Sequence, residues 1–352
     1  MILEKTLILK VTKNADTAED MKNLAVATDI IKEGGLVVFP TETVYGLGAN
    51  ALDGAAVKSI FEAKGRPQNN PLIIHLDDAK NIDKYCDTKG VFGYEQMKEL
   101  MPAPLTVILP AKSIVPKEVT AGLDTVAVRV PESKIARKLI ELSGTPIAAP
   151  SANLSGKPSP TCAKHVIEDM LGRADVIIDG GESDVGLEST VVTLCLENPT
   201  LLRPGGVTYE TLCGILGEVD ISHAVLESLK EGEKILSPGM MYKHYAPEKP
   251  VTLVKGERDK CIEFVNGKNK SEKCVVICYG EDAQEIECKN VLSAGSRKDN
   301  SEYASKLFAL LRETDTINAD KVYAFLPDST SGISLAIYNR LLRAAGFNVV
   351  KL

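Results

Sequence analysis

The sequence predicts an α/β protein in two parts: a larger mixed sheet flanked by helices, then a smaller three-layer βαβ unit. Three observations carry this. The chain has 352 residues, 44% hydrophobic and 25% charged. That is ordinary globular composition, and enough length for two cores at roughly 150 residues per domain. Apolar residues recur with period two in some segments and near 3.6 in others, and the two kinds alternate along the chain. Between about residues 219 and 250 the periodicity lapses, and beyond it strand and helix alternate cleanly.

Each element has its own justification. Thr6 to Val11 alternates as a strand does. Ala18 to Lys32 has helical spacing and stops at Gly34-Gly35. Leu36 to Phe39 is a short buried strand ended by Pro40, and Pro40 to Gly48 reads as a strand-to-helix connection. A helix over Ala55 to Ala63 with Gly65 as its C-cap leads to a strand at Leu72 to Leu76. Two helical patterns follow, Ala79 to Tyr85 and Tyr94 to Leu100, then strands at Leu105 to Leu109 and Val126 to Val130. Ser133 to Leu142 is an amphipathic helix closed by Gly144, and Pro146 to Ala149 is a strand. Ser159-Pro160 predicts a helix with Ser as N-cap and Pro in the first turn, reaching about Leu171. Val176 to Ile178, Thr190 to Leu194 and Leu201 to Arg203 read as strands and Tyr209 to Leu216 as a helix. His223 to Lys234 is polar and weakly helical. In the C-terminal part, strands are expected at Val251 to Val254, Cys274 to Tyr279, Asn290 to Ser293, Val322 to Leu326 and Asn348 to Lys351. Helices are expected at Arg258 to Asn266, Glu302 to Glu313 and Ile333 to Ala345.

Composition narrows the function. A net charge of −7 argues against coating nucleic acid through bulk charge, while leaving room for a local cationic pocket. The N-terminus has no secretory pattern and no apolar run approaches the roughly 18 residues that span a bilayer. The eight cysteines form no CxxC pair, so reduced thiols in the cytoplasm are the expectation.

The chemistry concentrates at strand ends, where open α/β sheets bind ligands. Lys64-Gly65-Arg66-Pro67-Gln68-Asn69-Asn70-Pro71 holds two cations on a loop stiffened by proline. Arg offers a planar fork and Lys a point charge, a pairing suited to phosphate oxygens. Pro40 to Gly48 brings two threonine hydroxyls, a carboxylate and a phenol. Arg129 sits in an otherwise apolar strand, where a charge needs an ion-pair partner or a ligand. Ser151 and Asn153 have the spacing to hydrogen-bond a sugar, base or phosphate. Glu188-Ser189-Thr190 and Leu202-Arg203-Pro204-Gly205 repeat hydroxyl then arginine, and His75 lies in an apolar strand where core packing is the simpler reading. Clustered cations in an acidic protein point to a small polyanion such as a nucleotide. The chain has no P-loop, no GxGxxG after a strand and no GxSxG elbow. What remains is positioning and charge stabilisation on phosphates, without a covalent nucleophile.

These residues resemble the signature of the YrdC/Sua5 family. The matching stretches are Phe39 to Gly48, Lys64 to Pro67 with Asn70-Pro71-Leu72, Ala149 to Asn153, Val185 to Thr190, and Leu202 to Gly205. Ser237 to Met240 and His244 to Pro247, with the small C-terminal domain, resemble the longer Sua5 form. The resemblance implies a YrdC-like twisted open mixed sheet over residues 1–218, a linker and lid over 219–250, and a Rossmann-like Sua5 C-terminal domain over 251–352. It implies an L-threonylcarbamoyladenylate synthase, a nucleotidyltransferase that joins L-threonine, bicarbonate or CO2, and ATP into threonylcarbamoyl-AMP with release of pyrophosphate. The product would pass to the machinery that makes t6A in tRNA. By motif, Lys64 and Arg66 carry the catalytic charge stabilisation. Lys64, Arg66, Asn70, Thr125, Ala149, Ser151, Asn153, Ser159, Arg203 and Ser237 are expected to hold ATP. Thr41, Thr43, His75, Arg129 and Ser189 are expected to hold threonine, with Arg129 on its carboxylate. The segment near Ser237 and Tyr242 is expected to fold over the pocket, and Mg2+ to arrive with ATP, held mainly by phosphates and waters.

Three other readings stay open on the residues. An RNA-binding module would show strong salt-dependent affinity for tRNA without ATP. A carbamoyl-adenylating relative of hydrogenase maturation would carry acylphosphatase-like and zinc-finger segments, which this chain lacks. A regulatory or scaffold role for the C-terminal domain would use Asp328 to Gly332 at a strand end, where a helix-capping loop is the simpler reading.

Overall fold

The computed structural model describes residues 6–227 and 244–352. The predicted contributions of Ser237 and Tyr242 lie outside the described residues. Among those described, the first sheet has eleven strands: β1 (Leu7–Lys10), β2 (Val37–Phe39), β3 (Gly46–Asn50), β4 (Ile73–His75), β5 (Leu105–Pro110), β6 (Thr125–Arg129), β7 (Ile147–Ala148), β8 (Val176–Asp179), β9 (Thr190–Thr193), β10 (Thr200–Arg203) and β11 (Asp220–Ile221). They lie in the order β1-β8-β2-β3-β7-β4-β6-β5-β9-β10-β11, with parallel and antiparallel pairs mixed.

Strand alternation sorts the central residues between two faces. Ile74, Val126 and Val128 point into the main core with Val57, Ile60 and Phe61 of the helix Gly54–Lys64. Ile73, His75, Ala127 and Arg129 face the other way. On that side His75 and Arg129 are register partners on parallel strands. The helix that delivers Lys64 starts at an Asp53 side-chain cap and, as the sequence predicts, ends at Gly65, which is in the left-handed conformation.

Three local expectations are corrected. Gly46 to Asn50 is a strand, not a connection to a helix. Its Gly48 is required by packing, because a Cβ there would meet Ile147 and Phe39 side chains at 2.6 Å. Ser159 does not cap a helix: the helix runs Ala163–Met170 with Cys162 at the N-cap position and no side-chain cap. The Ser159 hydroxyl instead goes to Glu188, a buried carboxylate that outcompetes a solvent-facing helix end. The loop from Asp328 gives no side-chain cap to Ser334–Ala344, since Asp328 is held by Arg297 at 2.6 and 2.7 Å. In addition, β11 lies beyond residue 218 and still belongs to the first sheet, paired parallel with β10.

The second sheet is wholly parallel, in the order β14-β13-β15-β12-β16: β12 (Val251–Lys255), β13 (Cys274–Cys278), β14 (Val291–Ser293), β15 (Lys321–Phe325) and β16 (Val349–Lys351). It is the three-layer βαβ unit that the alternation predicts. Val254, Val276, Tyr323 and Phe325 meet the helix Arg258–Asn269 on one face. Leu253, Val275, Ile277 and Ala324 meet the helices Asn300–Thr316 and Ser334–Ala344 on the other. This second core also takes in Val44 and Leu187 of the first part of the chain. At Gly186 the two parts come so close that a Cβ would lie 2.5 Å from the Ser305 backbone.

Candidate active site

The cavity-facing side of β4 and β6 meets the exit of β7, the entry to β9 and the end of β10. There Thr41, Val44, Gly46, Arg66, Ile73, His75, Arg129, Ala149, Pro150, Ser151, Glu188, Ser189, Arg203, His244 and Tyr245 enclose one cavity of ≈ 40 Å³. Three arginines from separate segments converge on it. Each is buried, which a lone guanidinium does not tolerate without partners.

Each partner set is specific. Arg129 donates from Nη2 to Glu42 Oε1 at 2.5 Å, while its Nε has no protein partner. Both expected possibilities therefore hold together, an ion pair on one side and a donor left on the other. Arg66 turns back onto its own loop, donating to the carbonyls of Asn70 and Pro71 at 3.3 and 3.1 Å, with Nε again unpartnered. Burial, and then the neighbouring Arg203, bring its pKa down to about 10, against an opposing pull from Tyr245. Arg203 holds Ser189 twice, through Nε to the carbonyl at 3.0 Å and Nη2 to Oγ at 3.1 Å, and Thr106 shares that hydroxyl at 2.7 Å.

Lys64 lies just behind the wall rather than on it. Its ammonium donates to the carbonyls of Ser151 and Asn153, tying the Lys64 loop to the loop after β7. Burial, and then the Arg66 charge, hold its pKa well below the ordinary lysine value. Within that second loop Ser151 donates to Asn153 Oδ1 at 2.5 Å, and Asn153 donates to the carbonyls of Leu154 and Lys157 at 2.8 and 2.9 Å.

His75 is not a satisfied core residue. Its Nδ1 has no partner and its ring lines the cavity, with burial and then Arg129 pushing its pKa down to about 3. The imidazole is therefore neutral at physiological pH. Thr41 donates its one hydroxyl proton to the Val44 carbonyl at 2.6 Å, so Thr43, 2.8 Å away, is the donor between the two threonines.

Of the predicted residues, Thr41, Arg66, His75, Arg129, Ala149, Ser151, Ser189 and Arg203 line the cavity. Lys64, Thr43 and Asn153 stand directly behind that wall. Ser159 meets it through Glu188, and the Asn70 carbonyl accepts from Arg66. Thr125 begins β6, four residues before Arg129 and about 13 Å along the strand.

Sequence reasoning gave no individual role to five further participants. Glu42 and Glu188 lay within the quoted motifs, but only the fold reveals their arginine partners. His244 and Tyr245 line the cavity from the chain that follows the undescribed stretch. Tyr245 takes a left-handed φ of 65° and packs on Phe308 with centroids 5.1 Å apart. His244 is buried, which brings its pKa down to about 3, with Glu188 opposing and Arg66 and Lys64 adding to the fall. Arg340 was not singled out at all. It comes from the helix Ser334–Ala344, donates to Glu188 Oε2 at 2.7 Å and lies 5.5 Å from the centre of the Tyr245 ring.

This arrangement coincides with a family pattern over most of the chain. A family profile described as "Telomere recombination", covering Sua5, YciO and YrdC proteins, matches residues 29–205. A second, described as "Threonylcarbamoyl-AMP synthase, C-terminal domain", matches residues 207–346. The chain belongs to the Sua5/YrdC family. Among its relatives, the threonylcarbamoyl-AMP synthase of Pyrococcus abyssi is 46% identical over 93% of this chain and 95% of its own length. That of Bacillus subtilis is 42% identical over 93% and 94%. Pyrococcus abyssi Sua5 solved in complex with L-threonine superposes with a TM-score of 0.89 at 43% identity, covering 99% of this chain and 100% of that one. A solved double variant of the same protein, with a histidine and a tyrosine changed to alanine, gives 0.90. Both parts of the fold described above are therefore those of a two-domain Sua5 protein.

Proposed function

We propose that this family member is an L-threonylcarbamoyladenylate synthase that makes threonylcarbamoyl-AMP and pyrophosphate from L-threonine, bicarbonate or CO2, and ATP. The observation that carries the reading is the convergence of Arg66, Arg129 and Arg203 with the hydroxyls of Ser151 and Ser189 around one cavity. Its support is the similarity to relatives named for this activity, and to a structure titled as a threonine complex.

Arg129, which lines the cavity with an unpartnered Nε and has the neutral His75 beside it, suits the carboxylate of threonine. Arg66 and Arg203, with Ser151 on the same cavity wall, suit the nucleotide phosphates. The threonine amine adds to CO2 and loses a proton, giving a carbamate. A carbamate oxygen then attacks the α-phosphorus, the bond to the β-phosphate oxygen breaks, and pyrophosphate leaves with that electron pair. Arg66 and Lys64 offset the charge that grows on the leaving group. The carboxylates nearest the cavity are engaged by protein cations, Glu42 by Arg129 and Glu188 by Arg340. Mg2+ is accordingly assigned to the substrate, travelling on ATP phosphates and water.

A cavity of ≈ 40 Å³ admits only a few waters, at roughly 10–15 Å³ each. Two substrates need several hundred. The pocket must therefore enlarge before both substrates fit. No helix among the described residues is long and apolar enough to cross a membrane, and we assign the enzyme to the cytoplasm, feeding the t6A transferase machinery. The test is mass-spectrometric detection of threonylcarbamoyl-AMP after incubation with ATP, L-threonine and bicarbonate. Folded protein that forms none refutes the reading.

A further inference from the structure

We propose that Arg340, brought in by the second domain, is a positioning residue for the nucleotide end of the pocket: it neutralises Glu188 and so keeps Arg203 on Ser189. This inference rests on the synthase reading. Glu188 is the only acidic residue among the described residues lining the cavity, an awkward presence where phosphates must sit. Its two oxygens are both taken. Ser159 donates to Oε1, and Arg340 Nε donates to Oε2 at 2.7 Å. The same guanidinium donates from Nη2 to the Pro204 carbonyl at 3.0 Å. One planar fork thus spans the residue before Ser189 and the residue after Arg203.

The ion pair is buried at both ends, with side-chain exposures of 0% for Arg340 and 7% for Glu188. Pairs of this kind seldom add net stability over an apolar replacement, so packing alone is a weak reason for its presence. Arg340 is itself aimed. Asn339 accepts from Nη1 at 2.6 Å through Oδ1, while its amide donates to the Val225 carbonyl at 2.6 Å. After Arg340, Arg203 is the cation that acts on Glu188. Without Arg340, Arg203 would exchange Ser189 for the carboxylate, and the pocket would lose that guanidinium for the ATP phosphates.

The test is a charge cycle in the full-length protein: Arg340→Met, Glu188→Gln and the double variant, assayed by threonine-dependent pyrophosphate release against ATP concentration and pH. Arg340→Met should raise KM for ATP at least tenfold. The defect should deepen as pH rises, because a Glu188 without its cation takes up a proton at low pH and loses it at high pH. The double variant, which removes both charges, should return KM to within about threefold of wild type with a flat profile. Arg340→Lys, which keeps the cation but loses the fork to the Pro204 carbonyl and should fold if Met does not, should recover most of the loss in KM and most of the wild-type profile. A pH-flat Arg340→Met with normal KM overturns the proposal. So does a double variant no better than Arg340→Met, or a Lys variant as impaired as Met. If wild type releases no pyrophosphate, the synthase reading fails and the same cycle is read in calorimetric Kd for ATP. A wild type that binds no ATP overturns both.

Discussion

Arg66 owes its role to its planar fork, two of whose bonds fix it to its own loop while Nε stays without a partner in the cavity wall. Arg66→Ala should lower kcat/KM for ATP by about 10²–10³-fold, the usual cost of losing one preorganised donor at a developing charge. Steady-state pyrophosphate release checks this. Lys64 gives a sign for pH. Its pKa is depressed in the ligand-free pocket, first by burial, and bound phosphates favour the charged form, so ATP binding takes up protons. Affinity should therefore fall as pH rises above the depressed value. Calorimetry in buffers of different ionisation enthalpy should show net uptake, and Lys64→Met should reduce it. For His75 and His244 the folded values lie near 3, below an ordinary 6.5. An unfolded histidine gains a proton below pH 6.5 that the folded one refuses, so stability holds above that point and is lost as pH falls toward 3. Each contributes up to about 1.4 kcal/mol per pH unit in that window. His75→Gln should flatten the acid side of a denaturation midpoint plotted against pH.

At the scale of elements, periodicity located most strands and helices within a residue or two. Ala18–Lys32 and Tyr209–Leu216 fall on the predicted bounds. The failures have physical causes. β3 was hidden because Gly46 and Gly48 carry no strand propensity of their own. Neighbouring side chains fill the space their Cβ atoms would need, and that crowding exists only after the sheet is assembled. Ser159 looked like a cap because local chemistry cannot see a carboxylate 29 positions away. The cationic and hydroxyl clusters of the site were legible because each is a contiguous motif. The Glu42–Arg129 and Glu188–Arg340 pairings were not, because they join residues 87 and 152 positions apart. Gly186 belongs at this scale too, with its φ of 72° and a Cβ position 2.5 Å from the Ser305 backbone. Gly186→Ala meets both a left-handed penalty of about 1–2 kcal/mol and a backbone clash. It should lower Tm by several degrees, measured by differential scanning calorimetry, and should weaken ATP affinity by displacing the helix pair from Glu188.

Over the whole molecule, the two sheets share one boundary rather than a flexible hinge. Val44 and Leu187 enter the second core, Leu335 enters the first, and Arg312 reaches across to Asp169 at 2.6 Å. Elements so interlocked should melt together. A single calorimetric transition with matching van't Hoff and calorimetric enthalpies is expected, and two resolved peaks would contradict it.

The Lys64 ammonium, bonded to the carbonyls of Ser151 and Asn153 before any ligand arrives, makes phosphate recognition an exchange reaction. The ammonium keeps a third donor for a phosphate, but a triphosphate that draws the lysine off its scaffold must break two existing bonds, and its net gain is then the difference between two well-bonded states. A competitive inhibitor need not accept that handicap. A compound that engages Arg66 and Arg203 while leaving the lysine on its carbonyls keeps the resting scaffold intact, and should bind more tightly per atom than a nucleotide mimic built to reach every cation.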